Sequence, residues 1–240
     1  MLDILGGIAL TAGMMLCVGT LALAGAGEGS WRARFAAIGV AWFAIVTALA
    51  AAGVFSRAGR FGILPLGAAI VVPIVAAQMV LARSRQARYF ASGIPLPVLV
   101  AVHVGRLIGG FFLALYAAGR LPETFAMSAG YGDIFVGITA LPLAWAIQRR
   151  VRGWQAMTLS WNTVAAFDLI SAVSLGVGSA ANSPLRFIFE TPDSRTVGTL
   201  PWALIPGVAV PLYMITHIAI FTRLAEHARK EEDLTVSHAA

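Results

Sequence analysis

Charge is scarce in this chain, and what there is mostly avoids the long apolar runs. Only 12% of the 240 residues are charged and 59% are hydrophobic, where soluble domains carry about 25% charged residues, so a water-soluble fold could not solvate it. The single cysteine, Cys17, rules out an intrachain disulfide or a cysteine metal cage, and its place inside an apolar run makes it a packing residue. No apolar run holds a lysine, because the only one, Lys230, lies close to the C-terminus. HExxH, Gly-x-Ser-x-Gly, a Walker loop and CxxCH are all missing, which argues against a zincin, a serine hydrolase, an ATP-driven pump and a c-type cytochrome. The balance leans away from an enzyme. Period-2 alternation, the mark of a membrane β-barrel, is missing too.

What the chain has instead is seven apolar spans, at residues 2–24, 36–55, 61–82, 94–118, 125–147, 156–177 and 200–223, with a mean hydropathy of +0.83. Each is long enough to cross about 30 Å of hydrocarbon as a helix, and helices satisfy their own backbone in lipid. The expected fold is an all-α, multi-pass membrane protein with the bilayer as its main partner. Asp3 stands where a signal peptide has its basic region, so the first span is expected to stay in the mature protein. Counted over loops and tail, eleven arginines and lysines fall on one side, including Arg83, Arg85, Arg149 and Arg150, and five on the other: Arg57, Arg60, Arg120, Arg186 and Arg195. The positive-inside rule then puts the N-terminus outside and the C-terminus in the cytoplasm, as in a bacterial-type cytoplasmic membrane. The formal charge of +6 is this anchoring and not a nucleic-acid signal. The polar tail, residues 225–240, is expected to fray after one or two helical turns. Trp31, Trp154 and Trp202 at span ends read as interfacial anchors.

Spans one to three align loosely with spans five to seven. Asp3, Ile4, Gly7 and Ile8 match Asp133, Ile134, Gly137 and Ile138; Ala37 and Trp42 match Ala156 and Trp161; Val72, Pro73 and Arg85 match Val210, Pro211 and Arg223. The reading is a 3+1+3 parallel repeat, an arrangement transporters use with a site between halves. In topology the arrangement resembles the SWEET sugar transporters and the seven-helix rhodopsins. It departs from both: the PQ dipeptide of the SWEET-related proteins is missing, and with Lys230 beyond span seven a retinal Schiff base cannot form.

Ionisable residues inside spans are costly and mark functional sites. His103 and Arg106 on span four, Asn162 and Asp168 on span six and His217 on span seven are expected at one level, with Arg106 paired to Asp168, as a substrate-binding or proton-relay site. Asp133 follows a glycine-rich stretch, Ala129 to Gly132, that contains Tyr131. Both are expected at an outer vestibule or helix break, with Asp133 at the depth of Asp3 and favoured by the helix dipole. Two histidines in spans are too few for a zinc site, so no metal is expected. Gly105 and Gly109 form a small-xxx-small pair, which allows a homo-oligomer. Prolines 65, 73, 95, 97, 142, 206 and 211 promote kinks.

Three function classes fit these residues. The favoured one is a small-molecule or proton-coupled transporter carrying a small molecule or ion. The second is a b-type haem redox protein with His103 and His217 as axial ligands. The third is a structural subunit of a membrane complex, for which absence of a polar cavity would be the sign.

Overall fold

A computed structural model describes residues 1–27, 29–56 and 63–239, with side chains described as far as Arg229. Arg57, Arg60 and the expected start of span three at Phe61 lie outside the described residues, as do the side chain of Lys230 and the end of the tail at Ala240. Every regular element among the described residues is helical. Seven helices are long and apolar enough to cross a membrane, and the protein is a multi-pass membrane protein. The spans are α1 (Leu2–Ala24), α2 (Gly29–Ala51), α3 (Leu64–Arg83), α5 (Leu96–Ala117), α6 (Glu123–Gln148), α7 (Trp154–Ser179) and the final helix α8 (Val210–Ala239). A short amphipathic helix, α4 (Arg85–Gly93), lies between α3 and α5.

Sequence chemistry sets most of these ends. Pro65 and Pro97 occupy first-turn positions of α3 and α5, where a missing N–H costs nothing. The Ser84 hydroxyl accepts from the Ala87 amide at 3.2 Å and caps α4. Gly153, with φ +80°, makes the turn into α7. Helix α6 begins at Glu123 behind Pro122 and buries one stripe: Phe125, Ala126, Ala129, Gly130, Asp133, Val136, Gly137, Ala140 and Leu143 to Ala144, the i, i+3, i+4 pattern of a core-facing helix. Its small residues let α5 approach closely. A Cβ on Gly130 would meet the Leu113 side chain, and one on Gly137 would meet Leu107. Helix α6 therefore packs between α5 and α7 at the centre, while α1 lies on α2, and α8 on α3, α5 and α7.

Two departures from regular helix matter for the site. Residues Val102–Gly109 of α5 wind as a 3-10 helix, and Ile205–Ala209 form a π turn leading into α8. Pro211 has no N–H to give the Gly207 carbonyl four residues back, and the Trp42 indole N–H donates to that carbonyl instead, at 2.8 Å.

Three expectations are corrected. The tail does not fray: α8 runs on to Ala239, because Ala225, Glu226, Ala228 and Arg229 are good helix formers and neither glycine nor proline interrupts them. Trp202 is no interfacial anchor; it is wholly buried against Gly6, with its N–H donating to Asp3 at 2.7 Å. Finally, α6 is unbroken across Gly130 and Gly132. Asp3 is the second residue of α1 and Asp133 the eleventh of α6, so these two aligned aspartates do not share a depth.

Candidate functional site

The 3-10 winding of α5 sets up the site. With three residues per turn, side chains three apart eclipse, so His103, Arg106 and Gly109 stand in one line on the face turned inward, and all three are buried. Arg106, the eleventh residue of its span, is 2% exposed. Its Nε donates to Asp133 Oδ1 at 2.6 Å, its Nη1 to the Ala165 carbonyl at 2.9 Å, and its Nη2 to Asp168 Oδ2. One guanidinium thus holds carboxylates from two other helices, α6 and α7.

Glycines make room for both acids. A Cβ on Gly109 would overlap the Asp133 carboxylate, and one on Gly132 would overlap that of Asp168. A Cβ on Gly105 would likewise strike the Tyr213 hydroxyl. The small-xxx-small pair therefore faces side chains of its own bundle.

Asp133, expected at an outer vestibule, is the largest relocation. Ten residues into α6 it lies about 15 Å from the helix start, in the middle of the span. Gly109 of α5 leaves the space in which the Asp133 carboxylate reaches Arg106. Tyr131, two residues away, points outward and is 60% exposed.

His103, Asn162 and His217 form a second cluster one turn below. The rings of His103 and His217 are in contact, with centroids 4.3 Å apart and planes at 37°. Asn162 donates its amide N–H to the His217 carbonyl at 3.1 Å, which turns its Oδ1 toward His217 Nδ1 at 2.7 Å; the proton between them must come from Nδ1. Thr216 donates to the Tyr213 carbonyl at 2.8 Å, so His103 Nε2 is the donor to the Thr216 hydroxyl at 3.0 Å. The remaining ring nitrogens, His103 Nδ1 and His217 Nε2, are buried with no hydrogen-bond partner among the described residues.

This pair does not fit bis-histidine haem. Such ligation needs an iron between two nitrogens at about 2 Å from each and a macrocycle filling the gap, whereas these rings are in direct tilted contact with no room between them. Among the described residues no group of three His, Cys, Asp or Glu is placed to hold a metal ion.

Above the triad lies a cavity of about 150 Å³. Among the described residues that line it, the polar side chains are those of Arg106, Asp133 and Tyr213. The rest of its wall is apolar: Leu10 and Met14 from α1, Leu66 and Ile70 from α3, Phe112 from α5, Phe125 from α6, and Leu169 and Val173 from α7. Sequence reasoning missed Asp133 as the second acid, Tyr213 and this cavity. The signal for Asp133 was Pro122 and Glu123, a helix-start pair that puts it at mid-membrane.

The family described as "Domain of unknown function (DUF8737)" matches residues 60–225, and the chain belongs to it. No curated protein and no solved structure matches.

Proposed function

We propose that this member of the DUF8737 family is a small-molecule transporter in which Arg106, Asp133 and Asp168 are both the cargo site and the proton-coupling group. The observation that carries the reading is a buried guanidinium joining carboxylates from two other helices in the wall of an internal cavity. One cation against two carboxylates leaves an excess negative charge, which hydrocarbon penalises by several kcal/mol. The stable forms of the cluster therefore hold either a proton or a positively charged group from the cargo, and that competition is what coupling requires.

The surrounding helices can follow such an exchange. The 3-10 stretch and the π turn are local departures of the kind found at hinges and functional sites, and Pro73 and Pro142 weaken α3 and α6 internally. Because Arg106 holds α6 and α7 together, a change at either acid alters the packing of three helices. The unpartnered ring nitrogens of His103 and His217 sit one turn away and serve as proton acceptors on the route to the cytoplasmic side, in the orientation with the N-terminus outside that the arginine distribution favours. A purely structural subunit needs neither the cavity nor the charges in its wall.

The test uses proteoliposomes with a trapped pH indicator and an imposed pH gradient, challenged with a panel of small organic cations, anions and neutral molecules. At least one member should dissipate the gradient with wild-type protein and not with Asp168→Asn, although the variant inserts normally. Equal dissipation by Asp168→Asn, or none by any probe, sinks the assignment.

A further inference from the structure

We infer that the cargo is a small lipophilic cation, an ammonium or quaternary ammonium on an apolar body, which replaces a proton at Asp133 and reaches the cavity sideways from the bilayer. This rests on reading the Arg106 cluster as the cargo site.

Size comes first. A cavity near 150 Å³ matches one aromatic ring, the occupant a dry cavity of that volume accepts. A sugar or zwitterion of similar bulk needs many hydrogen-bond partners, and among the described residues the wall has three polar side chains. An apolar body is what the remaining wall accepts.

Charge decides the rest. An anion would have to displace carboxylates that already engage Arg106 through Nε and Nη2. A cation meets the opposite situation: Arg106 takes Asp133 through Oδ1, leaving Oδ2 over Gly109 at the cavity wall. The rings of Phe112, Phe125 and Tyr213 line the same space and attract a desolvated cation. Among the described residues the buried Tyr213 hydroxyl has the Cys17 thiol as its hydrogen-bond partner, at 3.9 Å, a weak contact that leaves it able to donate to or orient a polar cargo atom.

Access follows from the helix order. The cavity lies between α3, which packs on α4 and α8, and α7, which packs on α6 and α8. Val71 lines it and is also 55% exposed, which makes this part of the wall, within a membrane span, the proposed point of entry. The step is an exchange: the ammonium enters beside the Asp133 carboxylate as the carboxyl proton leaves to water. The charged and titratable groups around Asp133 are Arg106 from α5, Asp168 from α7 and Tyr213 from α8, with His103, His217 and Cys17 behind them.

Calorimetry on the detergent-purified full chain tests this with three probes of one size: benzyltrimethylammonium, phenylacetate and benzyl alcohol. Titration in two buffers of different ionisation enthalpy counts the protons released. The cation should bind with release of about one proton, and Asp133→Asn should weaken it about tenfold or more and release none. Val173→Trp, which fills the cavity and leaves the charged cluster alone, should lose binding while the protein stays folded. Cation affinity unchanged in both variants overturns the inference. Binding of phenylacetate or benzyl alcohol alone, lost in Val173→Trp, removes the cation and keeps the cavity as cargo site. Failure of all three probes removes the site reading as well.

Discussion

Arg106 bonds to α6 and α7 at once because a guanidinium is a fork, with donors on three nitrogens. A lysine in its place would be a point charge on one acid. Removing the charge leaves two carboxylates facing each other in hydrocarbon, and breaking a buried pair from one side costs about 3–5 kcal/mol. Arg106→Gln should therefore lower the thermal midpoint of the detergent-solubilised protein markedly. The triple change Arg106→Gln, Asp133→Asn, Asp168→Asn should recover most of the loss, since no charge is then left unpaired. A triple variant as unstable as the single one would show that Arg106 acts through packing. The glycines facing these acids have the same origin: Gly109 and Gly132 stand where any side chain would push a carboxylate off the guanidinium.

Among the helices, the spans themselves were legible in hydropathy, because runs of about twenty mostly apolar residues, with most of the charge between them, have no other stable form in lipid. Their internal winding was not. Nothing in the spacing of His103 and Arg106 distinguishes an α-helix from the 3-10 stretch, which forms where Gly105 and Gly109 let Tyr213 and Asp133 press against the backbone. The depth of Asp133 was misjudged because an apparent match to Asp3 outweighed the start signal at Pro122. The short helix α4 has its own anchor: Arg223 Nη2 donates to the Ala91 carbonyl at 3.0 Å and to that of Ser92, closing the C-terminal end of α4 against α8. Hydrogen bonds to charged donors contribute about 1.5–3 kcal/mol each. Arg223→Ala should raise amide exchange across residues 85–93 by about tenfold or more, with α5 to α7 unchanged. Exchange in α4 at the wild-type rate would show that its contacts with α2 and α3 suffice.

Across the molecule, the sequence could say that polar residues from several spans share a level. It could not say which helices stand side by side, and that order decides everything about the cavity. Because α3 and α7 flank an open space, the charged residues meet a chamber whose described wall is mostly apolar. Because α5, α6 and α7 are neighbours, Arg106 finds two acids where one was expected. Among the described residues one guanidinium in the bundle interior is paired with two carboxyl groups, and in the proposed mechanism a proton completes the charge balance at rest. Infrared spectroscopy of the purified protein at neutral pH reads that proton directly. Wild type should show one buried carboxylic acid C=O band that shifts in heavy water, is lost in both Asp133→Asn and Asp168→Asn, and fades on saturation with benzyltrimethylammonium. A wild-type spectrum without a protonated carboxyl band, or a band that persists in both variants, would contradict a proton-holding cluster at the cavity wall.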